Sequence, residues 1–215
     1  MTGNRAGAPD ALAVLLAGGQ NRRYGGRPKA LARVAGERIA SRAIEALRAA
    51  AREVVMVANE LDLYTELGLT IRPDLRPGVG ALGGIHTAVA WAAESGAAGA
   101  LVAACDMPFL SAPLLRRLVE LGRSDRVVAP ASDSRRGLEP LCAFYGTGCL
   151  RAIEDAIARG ERSIVSFFPD VQVVTIPLEE VASFGDPALL FLNVNAPEDR
   201  KRAEVAARGL ERGGI

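Results

Sequence analysis

Three short apolar runs dominate the first half of the chain: ALAVLL at 11–16, EVVMVA at 53–58 and GALVAA at 99–104. They lack the polar alternation of a half-solvated strand, so they read as strands buried on both faces. Between the first two, residues 37–51 place Ile39, Ala43, Ile44, Leu47 and Ala50 on one helical stripe, and residues 84–95 read as a second helix. Apolar strands alternating with helices specify an α/β fold with a doubly wound, mostly parallel sheet and helices on both faces, Rossmann-like in its general plan.

The pattern continues. A short helix is expected at 60–67 and a short strand at 69–72. Ser111 caps a helix that carries Pro113 in its first turn and runs to Gly122. Strands follow at 126–129 and 139–145, then a helix at 147–159 ended by Gly160. Strands at 171–176 and 191–194 precede a closing helix at 197–208. Neither repeat nor linker interrupts this order. Residues 11–215 are therefore expected to form one domain behind a flexible tail, residues 1–10.

The formal net charge of the 215 residues is +1, which argues against nucleic acid or an anionic membrane as a partner. No apolar run approaches the roughly 18 residues of a membrane span. The polar N-terminus lacks the apolar core of a signal peptide. Cys105, Cys142 and Cys149 are odd in number without CxxC spacing, which fits a reducing cytoplasm. The single histidine, His86, excludes a multi-histidine zinc site and reads as a packed or capping residue more readily than as an acid–base group.

In doubly wound sheets ligands bind beyond the carboxyl ends of the strands. The segment from Leu16 to Lys29 lies there and holds four glycines, three arginines and a lysine. Glycine lets backbone N–H groups crowd an anion, and cations supply the opposite charge. Lys29 and Lys201 are the only lysines among 26 basic residues, so a lysine in this loop suggests a need for a compact point charge. A polyphosphate is the natural guest; the bland reading is a solvated basic loop.

Four further loops follow strand ends. Residues 72–84 hold Asp74, Gly78, Gly80, Gly83 and Gly84. Their formal GxGxxG match comes after a proline-rich segment, not directly after the first strand, which argues against a dinucleotide site. Asp106 ends the most apolar strand and is either a ligand for a hard cation such as Mg²⁺ or the cap of a turn. A strand at 191–194 would set Asn193 and Asn195 on one face, with one asparagine explicable as a helix cap. The loop at 129–141, with Arg135 and Arg136, either receives an anionic second substrate or is solvated.

Together these pieces resemble the molybdenum cofactor guanylyltransferase family, within the larger group of nucleotidyltransferases. The resemblance spans about residues 11–205. It rests on Leu16-Ala17-Gly18-Gly19 with Arg23, Gly25, Gly26 and Lys29; on Asp74 with Pro77-Gly78, Gly80, Leu82 and Gly84; on Cys105-Asp106-Met107-Pro108; on Glu139-Pro140-Leu141; and on Asn193, Asn195 and Pro197-Glu198-Asp199. It implies transfer of GMP from GTP to the phosphate of molybdopterin or molybdenum cofactor, with release of pyrophosphate. Leu16, Ala17, Gly18 and Gly19 are then implied to hold the triphosphate. Arg23 and Lys29 neutralise the leaving group, and Asp106 holds Mg²⁺. Asn59, Asp74, Gly78, Gly80, Leu82 and Gly83 complete the nucleotide site. Asn193 and Asn195, on the pterin side, are implied to face the metal or the incoming pterin phosphate. Implied protein partners belong to cofactor biosynthesis or to molybdoenzyme chaperoning.

Several positions depart from the pattern. Pro28 before the lysine is the form of cytidylyl relatives, while Leu-Ala-Gly-Gly is the guanylyl form. Ala81 and Ala196 replace a usual proline and threonine, and Tyr24 a usual methionine or phenylalanine. A cytidylyltransferase, another nucleotidyltransferase of the same fold, and a non-catalytic nucleotide-binding subunit stay open as alternatives.

Overall fold

The computed structural model describes residues 10–18 and 29–213. Its main sheet has seven strands: β1 (Ala11–Ala17), β4 (Glu53–Ala58), β5 (Thr70–Arg72), β6 (Gly99–Ala104), β7 (Arg126–Pro130), β8 (Cys142–Gly146) and β9 (Gln172–Ile176). Their order is β5-β4-β1-β6-β8-β7-β9, and β8 alone runs antiparallel to its neighbours. β1 is central. Leu12 stands between Glu53 of β4 and Ala100 of β6.

The pleat of β1 divides the core. Ala11, Ala13 and Leu15 pack with Ile44 and Leu47 of α1 (Ile39–Arg48) and with Leu114 and Leu118 of α3 (Ala112–Leu121). Leu12, Val14 and Leu16 pack with Leu82, Ile85 and Val89 of α2 (Ala81–Glu94) and with Ile153 and Ala156 of α4 (Leu150–Ala158). Two covered faces explain why the strands carry continuous apolar runs. Phe144 of β8 fills space that glycines leave. A Cβ on Gly99 would stand 2.4 Å from Phe144 Cζ, and one on Gly122 2.8 Å from the same ring.

A two-stranded hairpin, β2 (Arg33–Val34) and β3 (Glu37–Arg38), stands apart from the main sheet. Its turn places Ala35 at φ 49° and Gly36 at φ 79°, the left-handed geometry that tight hairpins require. This hairpin takes the first residues of the helix expected at 37–51, so α1 starts only at Ile39. α7 (Pro197–Gly213) closes on the hairpin: Val34, Ile39, Leu192, Val194, Ala203 and Ala207 form a third apolar cluster.

Other expectations need correction. The helix at 84–95 begins earlier, at Ala81, and residues 61–67 form a 3-10 helix. Ser111 occupies the cap position of α3, but its side chain makes no capping hydrogen bond. A 3-10 turn, Thr147–Cys149, precedes α4. Residues 191–194 are not a strand. After β9 the chain forms two short helices, α5 (Leu178–Ala182) and α6 (Pro187–Leu190), and then an irregular segment. No helix among the described residues is long and apolar enough to cross a membrane.

Candidate active site

Strands β1, β4, β5, β6 and β7 end at one edge of the sheet, and β8 begins there. The described parts of the loops that follow these strands therefore lie at that edge. β1 ends at Ala17, and Gly18 is exposed with open space where a Cβ would stand. Gly19 and Arg23, with Tyr24, Gly25, Gly26 and Pro28, lie outside the described residues. Lys29 opens a 3-10 turn, Lys29–Leu31.

Asp106 follows β6 and sits at the junction of two other segments. The Cys105 backbone N–H donates to Leu16 O at 3.0 Å, tying this turn to the end of β1. The Val194 N–H donates to Asp106 O at 2.9 Å, which brings the asparagine segment onto the same turn. Leu192 and Val194 are buried while Asn193 and Asn195 are half-buried. The two-residue alternation thus survives although the strand does not. Asn193 Nδ2 donates to Phe191 O at 3.2 Å. Asp199, not an asparagine, satisfies the start of α7: its Oδ2 accepts from the N–H groups of Asn195 and Ala196, both at 2.9 Å.

Glu139 joins this group, a placement sequence reasoning missed. The antiparallel return of β8 pairs Cys142 with Ala103, and Ala104 N–H donates to Leu141 O at 2.9 Å. Glu139 is thereby set beside the end of β6. Its Oε1 accepts from Leu141 N–H at 3.1 Å. Burial pushes its carboxyl up. The Leu141 hydrogen bond opposes this, the charge of Asp106 adds to it, and Arg136 opposes it. Among the described residues no group of three or more His, Cys, Asp or Glu could hold a metal. Oxygen donors from Asp106, with Glu139 near, fit a hard divalent cation that takes its remaining ligands from water or substrate phosphates.

On the other flank Asn59 follows β4 and Asp74 follows β5. The two residues make a two-point contact. Asn59 Nδ2 donates to Asp74 Oδ2 at 3.3 Å, and Asp74 N–H donates to Asn59 Oδ1 at 2.9 Å. Burial raises the Asp74 carboxyl, against hydrogen bonds from Asn59 and Thr87 and the nearby His86. The glycine loop then turns onto α2. Gly78 (φ 85°) and Gly80 (φ 77°) take left-handed backbone, and a Cβ on Gly83 would stand 2.8 Å from Arg76 O. Leu82 is fully buried, so what it offers this loop is its backbone.

His86 lies inside, between α2 and α4, 4% exposed, with Nε2 3.6 Å from Glu154 Oε1. This agrees with the packing reading. Cys105, Cys142 and Cys149 are buried and belong to no disulfide.

Among the described residues the end of β1 at Gly18, Asp106 beyond the central strand β6 and the glycine-rich loop beyond β5 share one sheet edge, where nucleotides bind in α/β folds. The solved structure of molybdopterin-guanine dinucleotide biosynthesis protein A from Archaeoglobus fulgidus is similar, with a TM-score of 0.71 and 28% identity; the match covers 92% of this chain and 99% of that one. A probable molybdenum cofactor guanylyltransferase of Pelotomaculum thermopropionicum is 36% identical, over 95% of this chain and 97% of the relative. A molybdenum cofactor guanylyltransferase of Desulfosudis oleivorans is 30% identical, over 91% and 95%. The chain belongs to the MobA-like NTP transferase domain family, whose profile matches residues 13–173.

Proposed function

We propose that this chain is a molybdenum cofactor guanylyltransferase, which joins GMP from GTP to the terminal phosphate of molybdopterin or its molybdenum form. An oxygen of the acceptor phosphate attacks the α-phosphorus of GTP. The bond from that phosphorus to the β-bridging oxygen breaks, and pyrophosphate leaves with the electron pair. The acceptor is already ionised at neutral pH, so the protein has chiefly to position the two phosphates and stabilise charge. The observation that supports this reading best is the pair of backbone hydrogen bonds, Cys105 to Leu16 and Val194 to Asp106, which join the end of β1, the Asp106 turn and the asparagine segment.

In this reading the backbone of Leu16, Ala17, Gly18 and Gly19 binds the triphosphate, and Arg23 and Lys29 neutralise the departing pyrophosphate. Asn59, Asp74 and the loop through Gly78, Gly80, Leu82 and Gly83 form the nucleoside end. Asn193 and Asn195 form the pterin end. Asp106 would hold Mg²⁺, which would supply neutralisation of charge on the phosphates. Buried cysteines outside any disulfide suit a reducing cytoplasm.

Isothermal titration with GTP, CTP, ATP and UTP, each with Mg²⁺, followed by assay of pyrophosphate release with molybdopterin, tests the proposal. GTP preference with acceptor-dependent turnover is expected. CTP preference would move the reading to cytidylyl transfer. Nucleotide binding without turnover on any acceptor would make the chain a binding subunit.

A further inference from the structure

Thr87 belongs to none of the motifs that suggested the site. It lies within an apolar helix and is 1% exposed. Its hydroxyl is nevertheless the hub of the turn that carries Asp74. Oγ1 accepts from the Leu75 N–H at 3.0 Å, donates to Gly83 O at 3.0 Å, and stands 3.5 Å from Asp74 Oδ1.

A hydroxyl has one proton and two lone pairs. The accepting role is filled by Leu75, which fixes the residue after Asp74 against α2. The single proton has two acceptors within reach, a helix carbonyl and a carboxylate. At these distances the carbonyl is the stronger of the two, and the carboxylate is at the limit of a hydrogen bond. Asn59 grips the opposite side of the same residue, through Asp74 Oδ2 and the Asp74 N–H. The Asp74 N–H needs an oxygen, so the amide nitrogen of Asn59 faces the carboxylate. Behind the carboxylate, a Cβ on Gly84 would stand 3.7 Å from Oδ1. Asp74 is thus held by Asn59 and Thr87 beside Gly84 of α2, and it is half-buried.

We infer that Thr87 is a positioning residue for nucleotide binding: its hydroxyl locks the Asp74–Leu75 turn so that the Asp74 carboxylate meets the nucleotide already oriented. This rests on the proposal that Asp74 faces the nucleotide. Preorganisation of this kind lowers the ordering cost of binding and acts on affinity, not on the chemical step.

Thr87→Val keeps the shape, removes the hydroxyl and leaves the Leu75 N–H without its partner. Dissociation of GTP with Mg²⁺, read by titration calorimetry, is expected to weaken about tenfold in this variant. In turnover the loss should fall on KM for GTP and not on kcat. Thr87→Ser, which restores the hydroxyl, should return affinity to within about twofold of the parent. In an Asp74→Ala background Thr87→Val should change GTP affinity no further, because the group it orients is gone. Should Thr87→Val not fold, Thr87→Ala is read in the same way. A folded hydroxyl-free variant that binds GTP like the parent overturns the inference, as does an equal loss in the Asp74→Ala background. Failure of the parent protein to bind any nucleotide would instead sink the underlying reading.

Discussion

Asp199→Ala tests how the acceptor end of the site is held. One oxygen of Asp199 takes two backbone N–H groups, from Asn195 and Ala196, at the start of α7. Hydrogen bonds to a charged acceptor are worth about 1.5–3 kcal/mol each, but both donors here are only part-buried and can turn to water. Loss of a helix cap costs about 0.5–2 kcal/mol, and we expect about 1.5 kcal/mol for this pair. For a domain of this length that corresponds to a fall in Tm of roughly 3–6 °C. The functional effect should exceed the thermal one. Asn195 lies in the segment whose Val194 N–H is bonded to Asp106 O, so freeing it loosens the acceptor side while leaving Asn59 and Asp74 untouched. KM for molybdopterin should rise severalfold with GTP affinity unchanged. Asp199→Asn, which keeps one acceptor oxygen, should fall between the variant and the parent. Equal losses in GTP affinity and acceptor KM would refute the argument, since they would mean that the cap supports the whole site and not one end of it.

Asp106→Ala should abolish turnover, measured as pyrophosphate release; full activity would remove Asp106 from the mechanism. Lys29→Ala should lose most activity and Lys29→Arg should not restore it fully, because a guanidinium is larger and planar. Burial raises the Asp74 carboxyl, so the folded state binds its proton more tightly than the unfolded state does, and ionisation costs stability as pH rises through the carboxylate range. Asp74→Asn should therefore match or exceed the parent in urea at pH 7, and that advantage should shrink as pH falls toward about 4, while nucleotide affinity is lost. Gly99→Ala would drive a Cβ to 2.4 Å from Phe144 Cζ and 2.5 Å from Tyr145 O, so urea unfolding should show a loss of about 2–3 kcal/mol or no folded protein.

How much of this was legible in the sequence depended on what each element packs against. Strands at 53–58 and 99–104 were read to their ends because both faces are buried and the apolar run is the whole signal. The strand expected at 191–194 failed for an instructive reason. Leu192 and Val194 alternate with Asn193 and Asn195 as in a half-buried strand, but their partners are α7 and the small hairpin, so no ladder forms. That hairpin escaped notice because two residues per strand leave no period to detect. Asp106 was legible as a carboxylate at the end of an apolar strand. Glu139 was not, since its approach to Asp106 depends on β8 running backwards. Thr87 was hidden more completely: nothing in an apolar helix distinguishes a hydroxyl that fills space from one that fixes a turn 12 residues upstream.

The attachment of the asparagine segment to Asp106 divides the labour of the chain. In the proposed reading the donor residues run from the end of β1 to the start of α2, with Asp106 just beyond β6, whereas the acceptor end arrives on a segment beyond β9, outside the seven-stranded sheet and held to the Asp106 turn by a main-chain hydrogen bond. A main-chain bond is indifferent to the side chains of Asn193 and Asn195, while Leu192 and Val194 stay fixed by burial against α7 and the hairpin. The scaffold can therefore keep its donor while this short stretch is rewritten, and a change of acceptor becomes a local edit near the C-terminus that leaves the sheet and its two cores intact.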